Sequence, residues 1–190
     1  SEMCIRDRYC PAPENVVTLR KTKKPKEMTG IFYGSTTGTT EAVAQDIAKQ
    51  LGVASADVHN VADASADEAN KYDLLVLGSS TWGSGELQDD WYPFLDALKA
   101  KDLAGKKVAL FGCGDSASYP DSFCDALAEI RDGLEATGCT FVGALDAAEY
   151  DGCTSRICRD GKVIGLAVDD GASEAVNDAR MEKWIAAVGF

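Results

Sequence analysis

Two short and nearly continuous apolar runs constrain the fold more than any other feature of this sequence. They cover residues 72–78 and 107–112, and neither alternates polar with apolar residues as a strand with one solvent-exposed face does. A strand of this composition is covered on both faces, as in a parallel sheet with helices packed on each side. The runs therefore predict an α/β protein with a doubly wound parallel sheet.

The rest of the chain supplies further strands and helices in alternation. At 190 residues the length suits a single domain of this class. Three more strands are predicted, at residues 28–33, at residues 56–61 and from about residue 140 onward. Amphipathic periodicity predicts helices at residues 39–51, 64–71, 91–99, 121–136 and 173–188.

The amino-terminal residues differ from the rest of the chain. Residues 1–28 hold seven Lys or Arg against four Asp or Glu, and they show neither helical nor strand periodicity. Residues 1–8 also resemble translated sequencing-adapter sequence. We interpret residues 1–27 as a disordered or non-native extension and residues 28–190 as the folded domain.

The predicted domain is strongly acidic. The whole chain has a formal charge of −12, but residues 29–190 hold twelve Lys or Arg against twenty-seven Asp or Glu, a net charge of −15. Such a surface repels nucleic acid and anionic membranes and attracts proteins with a basic surface. The same charge would also serve simply to keep the protein in solution, and the sequence leaves both interpretations open.

The cysteines and the hydropathy of the sequence indicate in which cellular compartment the protein is expected. The seven cysteines fit neither a disulfide framework nor a metal site, although Cys153 and Cys158 have a C-x4-C spacing. Scattered cysteines of this kind are typical of free thiols in a reducing compartment. Because the sequence has no apolar run of membrane-spanning length and no signal-peptide core, we expect a cytoplasmic protein.

A loop rich in glycine and hydroxyl side chains follows the first predicted strand. Residues 34–40 contain two glycines, five Ser or Thr and no Lys or Arg, and they lead directly into a predicted helix. Backbone N–H groups at a helix N-terminus bind phosphate, with roughly 1.5–3 kcal/mol for each charge-assisted hydrogen bond. The loop is not a Walker A loop, because Thr39 replaces the lysine, and it is not a dinucleotide fingerprint. An ordinary Ser/Thr-rich turn with a helix cap is the alternative.

Three loops are expected to meet at one edge of the sheet, because ligands of doubly wound sheets bind beyond the carboxyl ends of the strands. The loops are residues 35–40, 79–87 and 113–120, of which the second contains Trp82 and the third contains Tyr119. Two aromatic rings across a gap can hold a flat, electron-poor ring system. None of the loops offers the base, nucleophile or metal ligands of hydrolytic chemistry. They therefore predict a phosphorylated planar cofactor.

With these loops identified, the chain from about residue 28 to residue 188 resembles a flavodoxin. Residues 35–40 match the family's Thr/Ser-x-Thr-Gly-x-Thr motif, and residues 81–88 match its Thr-Trp-x-x-Gly-Glu-Leu-Gln motif. Its Gly-Asp pair and following Tyr are present as Gly114, Asp115 and Tyr119. Residues 150–169 resemble the insertion that splits the fifth strand in long-chain flavodoxins.

The resemblance implies a sheet of five strands in the order 2-1-3-4-5, with the fifth strand split. It also implies non-covalently bound FMN, at the place where the order of the strands in the sheet reverses. Flavodoxins are themselves a known example of ligand binding at this place in a doubly wound sheet. Ser80 and Cys113 depart from the family, which often has proline and a hydroxyl residue at these positions. The residues to which the resemblance assigns FMN binding are Ser35, Thr36, Thr37, Gly38, Thr39, Thr40, Ser80, Thr81, Trp82, Gly83, Gly85, Cys113, Gly114, Asp115 and Tyr119.

The function implied by the resemblance is that of a low-potential one-electron carrier with no substrate, catalytic residue or metal of its own. Trp82 and Tyr119 would flank the flavin ring, and the peptide carbonyl after Trp82 would turn at Gly83 to stabilise the neutral semiquinone. Nearby carboxylates would oppose formation of the anionic hydroquinone. These carboxylates are Glu86, Asp89, Asp90 and Asp115.

The expected partners of such a monomeric carrier are basic redox proteins, such as a ferredoxin/flavodoxin-NADP reductase or a pyruvate oxidoreductase. A flavodoxin-fold quinone or azo reductase is the enzyme alternative, and it would need a substrate pocket and a dimer interface over the ring. A receiver-type phosphoacceptor module is excluded, because the first loop has no carboxylate before Glu41 and the third strand ends in Gly78-Ser79-Ser80.

Several other residues have structural interpretations. Asp115 would act only as a turn former if its backbone alone bound the ring. Trp91 and Trp184 are expected to pack in the core or on a helix face. His59 is the only histidine, and we expect it to be structural or exposed, which argues against histidine acid–base catalysis.

Overall fold

A computed structural model describes residues 27–189 of the chain, so that residues 1–26, nearly all of the predicted extension, lie outside it. Within this range the strands are β1 (Thr29–Gly34), β2 (Val58–Asn60), β3 (Leu74–Trp82), β4 (Glu86–Leu87), β5 (Lys107–Gly114), β6 (Thr140–Val142), β7 (Leu145–Asp146), β8 (Cys158–Arg159), β9 (Lys162–Val163) and β10 (Leu166–Asp169). The α-helices are α1 (Thr39–Leu51), α2 (Trp91–Lys99), α3 (Ala126–Leu134) and α4 (Glu174–Val188). Over the same residues, no helix combines the length and the apolar character that crossing a membrane requires.

The main sheet confirms the predicted doubly wound architecture. Its strands follow the order β10-β5-β3-β1-β2, and every pair along this path is parallel. If β6 and β10 are counted as two parts of one strand, this is the predicted order 2-1-3-4-5. The helices form two groups, since α1 is linked to α4 by a hydrogen bond from Gln50 to Met181 while α2 packs against α3.

The fifth strand is divided, as the resemblance implied. β6 pairs with the first part of β5 at Lys107–Ala109, and β10 pairs with its last part at Phe111–Gly114. The residues between β6 and β10 form a separate antiparallel sheet of order β7-β9-β8. Both parts of the fifth strand are held by the same neighbour, so the insertion leaves the main sheet continuous.

Some predicted boundaries are wrong. The sequence predicts that the third strand ends in Gly78-Ser79-Ser80, but β3 continues to Trp82 because the chain turns back in β4 and pairs with it. The helix predicted at residues 121–136 is α-helical only in α3, with 3₁₀ helices at Pro120–Ser122 and Glu135–Thr137. Cys124 has a φ of 53° between the first of these and α3, and this left-handed conformation interrupts a right-handed helix.

The second strand and the helix after it are also shorter than predicted. β2 covers only Val58–Asn60, after a 3₁₀ helix at Ser55–Asp57. The helix predicted at residues 64–71 is a 3₁₀ helix at Ala66–Lys71, whose first turn is capped by the Ser65 hydroxyl. These segments contain several Ala, Asp and Asn residues and few large apolar ones. Burial of side chains therefore contributes little to stabilising a longer strand or an α-helix here.

The structural interpretations of the tryptophans and of His59 are confirmed. Trp91 is fully buried, and its indole N–H donates to the carbonyl oxygen of Gly78 at 2.8 Å. Trp184 is also fully buried. The His59 ring stacks on Phe32 with 4.9 Å between ring centroids, so it packs β2 against β1.

Substituting Gly78 tests the packing at the centre of the sheet. A Cβ atom at this position would lie 2.0 Å from Cζ of the buried Phe111 ring. We expect Gly78→Ala to lower the free energy of unfolding by about 1–3 kcal/mol, because a close-packed core cannot move the ring freely. Urea unfolding followed by circular dichroism measures this. The double variant Gly78→Ala/Phe111→Leu should lose less free energy of unfolding than the two single variants lose together. A loss equal to that sum would contradict the proposed clash.

Candidate cofactor site

The three predicted loops do leave the sheet at neighbouring positions. The parallel register pairs Gly34 of β1 with Ser79 of β3, and it pairs Ser80 of β3 with Cys113 of β5. The carboxyl ends of these strands therefore lie side by side along one edge. β10 ends at the same edge, since Asp169 is paired with Gly114.

The first loop presents the uncapped N-terminus of α1. Gly38 occupies the N-cap position with φ 92° and ψ −11°, and no side chain caps the helix. The Gly38 N–H donates to the Ser35 hydroxyl at 3.0 Å, which closes the loop on itself. The first backbone N–H groups of an α-helix have no partner within the helix. They are therefore available to an anion, which the helix dipole also favours.

Two buried hydroxyl groups beside this loop have no hydrogen-bond partner. The Thr40 side chain is 1% exposed, and its Oγ1 makes no hydrogen bond to any described residue. Thr81 Oγ1, at the end of β3, is also buried and makes no hydrogen bond to any described residue. A buried polar group without a partner costs about 1–3 kcal/mol, so such groups in a cleft point to a polar ligand.

The second loop is a tight hairpin between β3 and β4. Gly83 and Gly85 have φ values of 52° and 107°, which only glycine adopts at low cost. The Gly85 N–H donates to the Trp82 carbonyl oxygen at 3.1 Å, so that carbonyl is held inside the hairpin. The Trp82 side chain is 43% exposed, and its indole N–H donates to the Ser80 hydroxyl at 3.0 Å. The hairpin thus holds a large aromatic ring at the surface.

The third loop is organised by the Asp115 carboxylate. Asp115 Oδ1 accepts hydrogen bonds from the N–H groups of Ala117 and Ser118 at 2.9 and 3.0 Å. Hydrogen bonding from Ser118 is the main reason that the pKa of Asp115 lies below its ordinary value. The side chain is therefore a turn former, as one interpretation of the sequence held. The loop it shapes carries Tyr119, which is 60% exposed.

Trp82 and Tyr119 line the same open cleft. The cleft consists of two adjoining cavities of about 460 and 240 Å³, and both side chains contribute to each. Volumes of this order are usual for cofactor and small-molecule sites. Thr37 and Thr39 of the first loop line the smaller cavity, so the hydroxyl-rich loop and the aromatic rings face one continuous space. No Lys or Arg is among the described residues that line it.

Eleven of the fifteen predicted site residues line the cleft or its margin, and four do not. Ser35 and Gly38 bond to each other within the first loop, and Thr40 is buried beneath it. Gly85 faces away from the cleft, because a Cβ there would lie 2.8 Å from Cβ of Asp125. The predicted residues that line the cleft or its margin are Thr36, Thr37, Thr39, Ser80, Thr81, Trp82, Gly83, Cys113, Gly114, Asp115 and Tyr119.

The sequence analysis missed several residues of the cleft. Asp170 lies there because β10 ends beside β5, and its N–H donates to the Gly114 carbonyl at 2.9 Å. Burial, followed by the charges of Asp115 and Asp169, raises the pKa of Asp170. The predicted order of strands contained this signal, since it places the end of the fifth strand beside that of the fourth. The other missed residues are Ser84, Ser122, Phe123 and Cys124.

Comparison with known proteins gives a consistent result. Residues 31–184 match the family described as Flavodoxin. Flavodoxin 1 of Escherichia coli strain K12 is 46% identical over 159 residues, which is 83% of this chain and 90% of that protein. The flavodoxin of Synechocystis sp. is 38% identical over 160 residues, covering 84% and 94% of the two chains.

Solved structures agree with these sequence matches. The crystal structure of Fusobacterium nucleatum flavodoxin bound to flavin mononucleotide superposes with a TM-score of 0.74 at 29% identity, covering 84% of this chain and 95% of that one. Oxidised Flavodoxin 1 from Bacillus cereus gives a TM-score of 0.62 at 26% identity, with coverage of 83% and 97%.

The thiol that borders the cleft should be chemically inert. Cys113 is 4% exposed, and burial raises its pKa to about 12. Near pH 8 its thiolate fraction should be about 1,000-fold below that of an ordinary cysteine, so iodoacetamide should react correspondingly slowly with it. Mass spectrometry of protein alkylated in the folded state measures the rate, with the partly exposed Cys139 as the internal reference. Equal labelling of the two thiols would contradict the assignment.

Proposed function

The chain belongs to the flavodoxin family, and we propose that it binds FMN without a covalent bond and passes single electrons between redox proteins. Flavodoxins are electron-transfer proteins, so the chain is a carrier and not an enzyme with its own substrate. The observation that supports the FMN proposal most strongly is that a site suited to phosphate and a site suited to a flat ring lie next to each other. An uncapped helix N-terminus with a buried unpaired hydroxyl lies beside two exposed aromatic rings.

The first loop would hold the phosphate of FMN. The free N–H groups at the start of α1 and the hydroxyls of Thr37 and Thr39 are donors that need no positive side chain. Several charge-assisted bonds of about 1.5–3 kcal/mol each suffice to hold a dianion. We assign Thr40 to the same group, because a ligand that reached its hydroxyl would relieve a buried unpaired polar atom.

The two aromatic loops would hold the ring of the flavin. Trp82 and Tyr119 offer flat apolar surfaces on opposite loops, and both are more exposed than aromatic side chains of this size usually are. A planar ligand between these loops would cover both side chains and exclude water from its own surface. The backbone of residues 113–115, shaped by the Asp115 turn, would complete the wall.

Bound FMN supplies a ring that accepts one electron at a time, and we propose that this chain favours the neutral semiquinone over the anionic hydroquinone. The Gly83 carbonyl is the group we assign to this preference. The neighbouring Trp82 carbonyl is already held by the Gly85 N–H, whereas the Gly83 carbonyl accepts no hydrogen bond from the described residues. Glycine at φ 52° lets that peptide turn at low cost.

Negative charge around the cleft would lower the potential of the second electron. Asp115 and Asp170 line the cleft, and Glu86 and Asp89 lie on its margin. Two negative charges about 8 Å apart repel by about 2 kcal/mol at an effective dielectric of 20, or roughly 90 mV for one electron. Solvent screening reduces each contribution, but several carboxylates act together. We therefore propose a low-potential carrier.

The same acidic surface supports the proposal of a basic partner. With a net charge of −15 over residues 29–190, attraction of a basic redox protein would speed encounter at low ionic strength. A ferredoxin/flavodoxin-NADP reductase or a pyruvate oxidoreductase is a partner of the proposed kind. We propose that the carrier acts as a monomer in the cytoplasm, which suits the unpaired thiols among its described cysteines.

Stepwise anaerobic reduction of the FMN-loaded protein tests the one-electron proposal. We expect a blue one-electron-reduced species to accumulate, with a second step at much more negative potential, measured by visible absorbance. Direct two-electron conversion would instead favour the quinone or azo reductase alternative. Gly83→Ala should at least halve the maximum yield of the blue species, because Gly83 has a φ of 52° and a Cβ atom narrows the backbone conformations through which this peptide can turn. Ser84→Ala, also in the cleft, is the matched control and should behave as wild type.

Truncating either aromatic side chain should weaken FMN binding. Stacking contributes about 0.5–1.5 kcal/mol beyond the buried area, so we expect Trp82→Ala and Tyr119→Ala each to raise the dissociation constant about 10-fold or more. Quenching of FMN fluorescence during titration of the apoprotein measures this. Tyr92→Ala is the control, because Tyr92 is 41% exposed on α2 but lies outside the cleft. An equal effect of all three substitutions would refute the assignment.

A further inference from the structure

The hydroxyl of Ser80 is the hydrogen-bond acceptor for the indole of Trp82. The indole N–H donates to Ser80 Oγ at 3.0 Å, and both side chains line the smaller cavity of the cleft. The two residues are two positions apart in β3, so their side chains project from the same face of the strand. An indole ring has a single hydrogen-bond donor, and Ser80 occupies it. Ser80 departs from the family pattern, and a proline in its place would offer the indole no side-chain acceptor.

Ser80 itself is firmly held in the sheet. Its carbonyl oxygen accepts a hydrogen bond at 2.8 Å from the hydroxyl of Ser79, a fully buried residue. The same Ser79 hydroxyl accepts a hydrogen bond from the Gln88 N–H at 3.3 Å. On the other side, Ser80 is paired with Cys113 of β5, the strand that leads into the third loop. The acceptor of the indole therefore has a fixed position relative to the two loops that carry the aromatic rings.

The Trp82 ring has more freedom than its acceptor. Its backbone is paired with Glu86 of β4, but the side chain is 43% exposed and so is only partly restrained by packing. Rotation about its two side-chain torsions would change the direction in which the ring faces. The hydrogen bond to Ser80 restricts both torsions, because the indole N–H reaches the hydroxyl in only a few combinations of them.

We propose that Ser80 is a positioning residue, whose hydroxyl holds the Trp82 ring in the orientation that stacks on the flavin before the flavin binds. A ring that is already oriented loses less conformational entropy when it packs against a ligand. The hydroxyl would thus raise the affinity for FMN through the indole and without contact to the flavin. The inference rests on the FMN binding proposed above.

A direct hydrogen bond from Ser80 to the flavin is the alternative role. A serine hydroxyl that accepts from an indole still has its own proton to donate. Replacing Trp82 by phenylalanine separates the two roles, because phenylalanine keeps an aromatic face but has no N–H. A hydroxyl that acts through the indole loses its effect in that background, whereas a hydroxyl that donates to the flavin keeps it.

The indole N–H signals of the apoprotein test the contact without FMN. The chain has three tryptophans, and Trp82→Phe identifies the Trp82 signal by its loss from the nitrogen–proton correlation spectrum. In Ser80→Ala we expect the Trp82 N–H to exchange with water about three-fold or more faster, because it has lost its acceptor. Ser80→Thr keeps a hydroxyl and should restore the slower exchange. Unchanged signals of the buried Trp91 and Trp184 report that each variant is folded. Equal exchange of the Trp82 N–H in wild type and Ser80→Ala would overturn the proposal.

Titration of the apoprotein with FMN, followed by fluorescence, tests the consequence for binding. We expect Ser80→Ala to raise the dissociation constant about three-fold or more, and Ser80→Thr to stay within about two-fold of wild type. In the Trp82→Phe background, adding Ser80→Ala should change the dissociation constant by less than about two-fold. An equal loss of affinity in both backgrounds would overturn the positioning role. Tighter binding by Ser80→Ala would also overturn it, because the hydrogen bond would then hold the ring away from the flavin.

Failure of this role and failure of the proposed function give different results. If wild type binds no FMN, the proposed function is wrong and the positioning role is overturned with it. If wild type binds FMN and Ser80→Ala binds it equally well, only the role of Ser80 is overturned.

Discussion

The parallel pairing of β3 with β1 on one side and with β5 on the other is the interaction on which the rest of the structure depends. It aligns Gly34 with Ser79 and Ser80 with Cys113, so that three loops leave the sheet together. None of these loops forms the candidate site alone, because the N-terminus of α1 follows the first loop and the two exposed aromatic rings lie on the second and third. The buried strands also explain why the edge is stable enough to carry glycine-rich, partly exposed loops.

The candidate site would bind the proposed phosphate without a positive side chain. Donors in the first loop are backbone N–H groups and hydroxyls, and among residues 27–189 the cleft is bordered by carboxylates rather than by Lys or Arg. A positive side chain would bind the phosphate more strongly, but it would also stabilise added negative charge on a neighbouring ring. Neutral donors avoid this effect. Affinity for an anion and resistance to reduction of the ring can therefore coexist in one cleft.

Much of the fold and the site could be predicted from local sequence. Residues 74–77 are apolar in sequence and buried in the structure, and the loop with Gly38 leads into α1 as predicted. What could not be predicted depends on contacts between distant residues. The extension of β3 to Trp82 requires the return strand β4, and the break at Cys124 depends on the surrounding packing. The position of Asp170 follows only once the insertion is folded.

The most direct test of the central claim compares FMN with riboflavin, which has the same ring but no phosphate. Titration of the apoprotein with each flavin, followed by fluorescence, gives the two dissociation constants. If the uncapped N-terminus of α1 and the hydroxyls beside it hold the phosphate, FMN should bind about 100-fold or more tightly than riboflavin, the equivalent of two charge-assisted hydrogen bonds. Equal affinity for the two flavins would contradict the account, because it would mean that the first loop takes no part in binding.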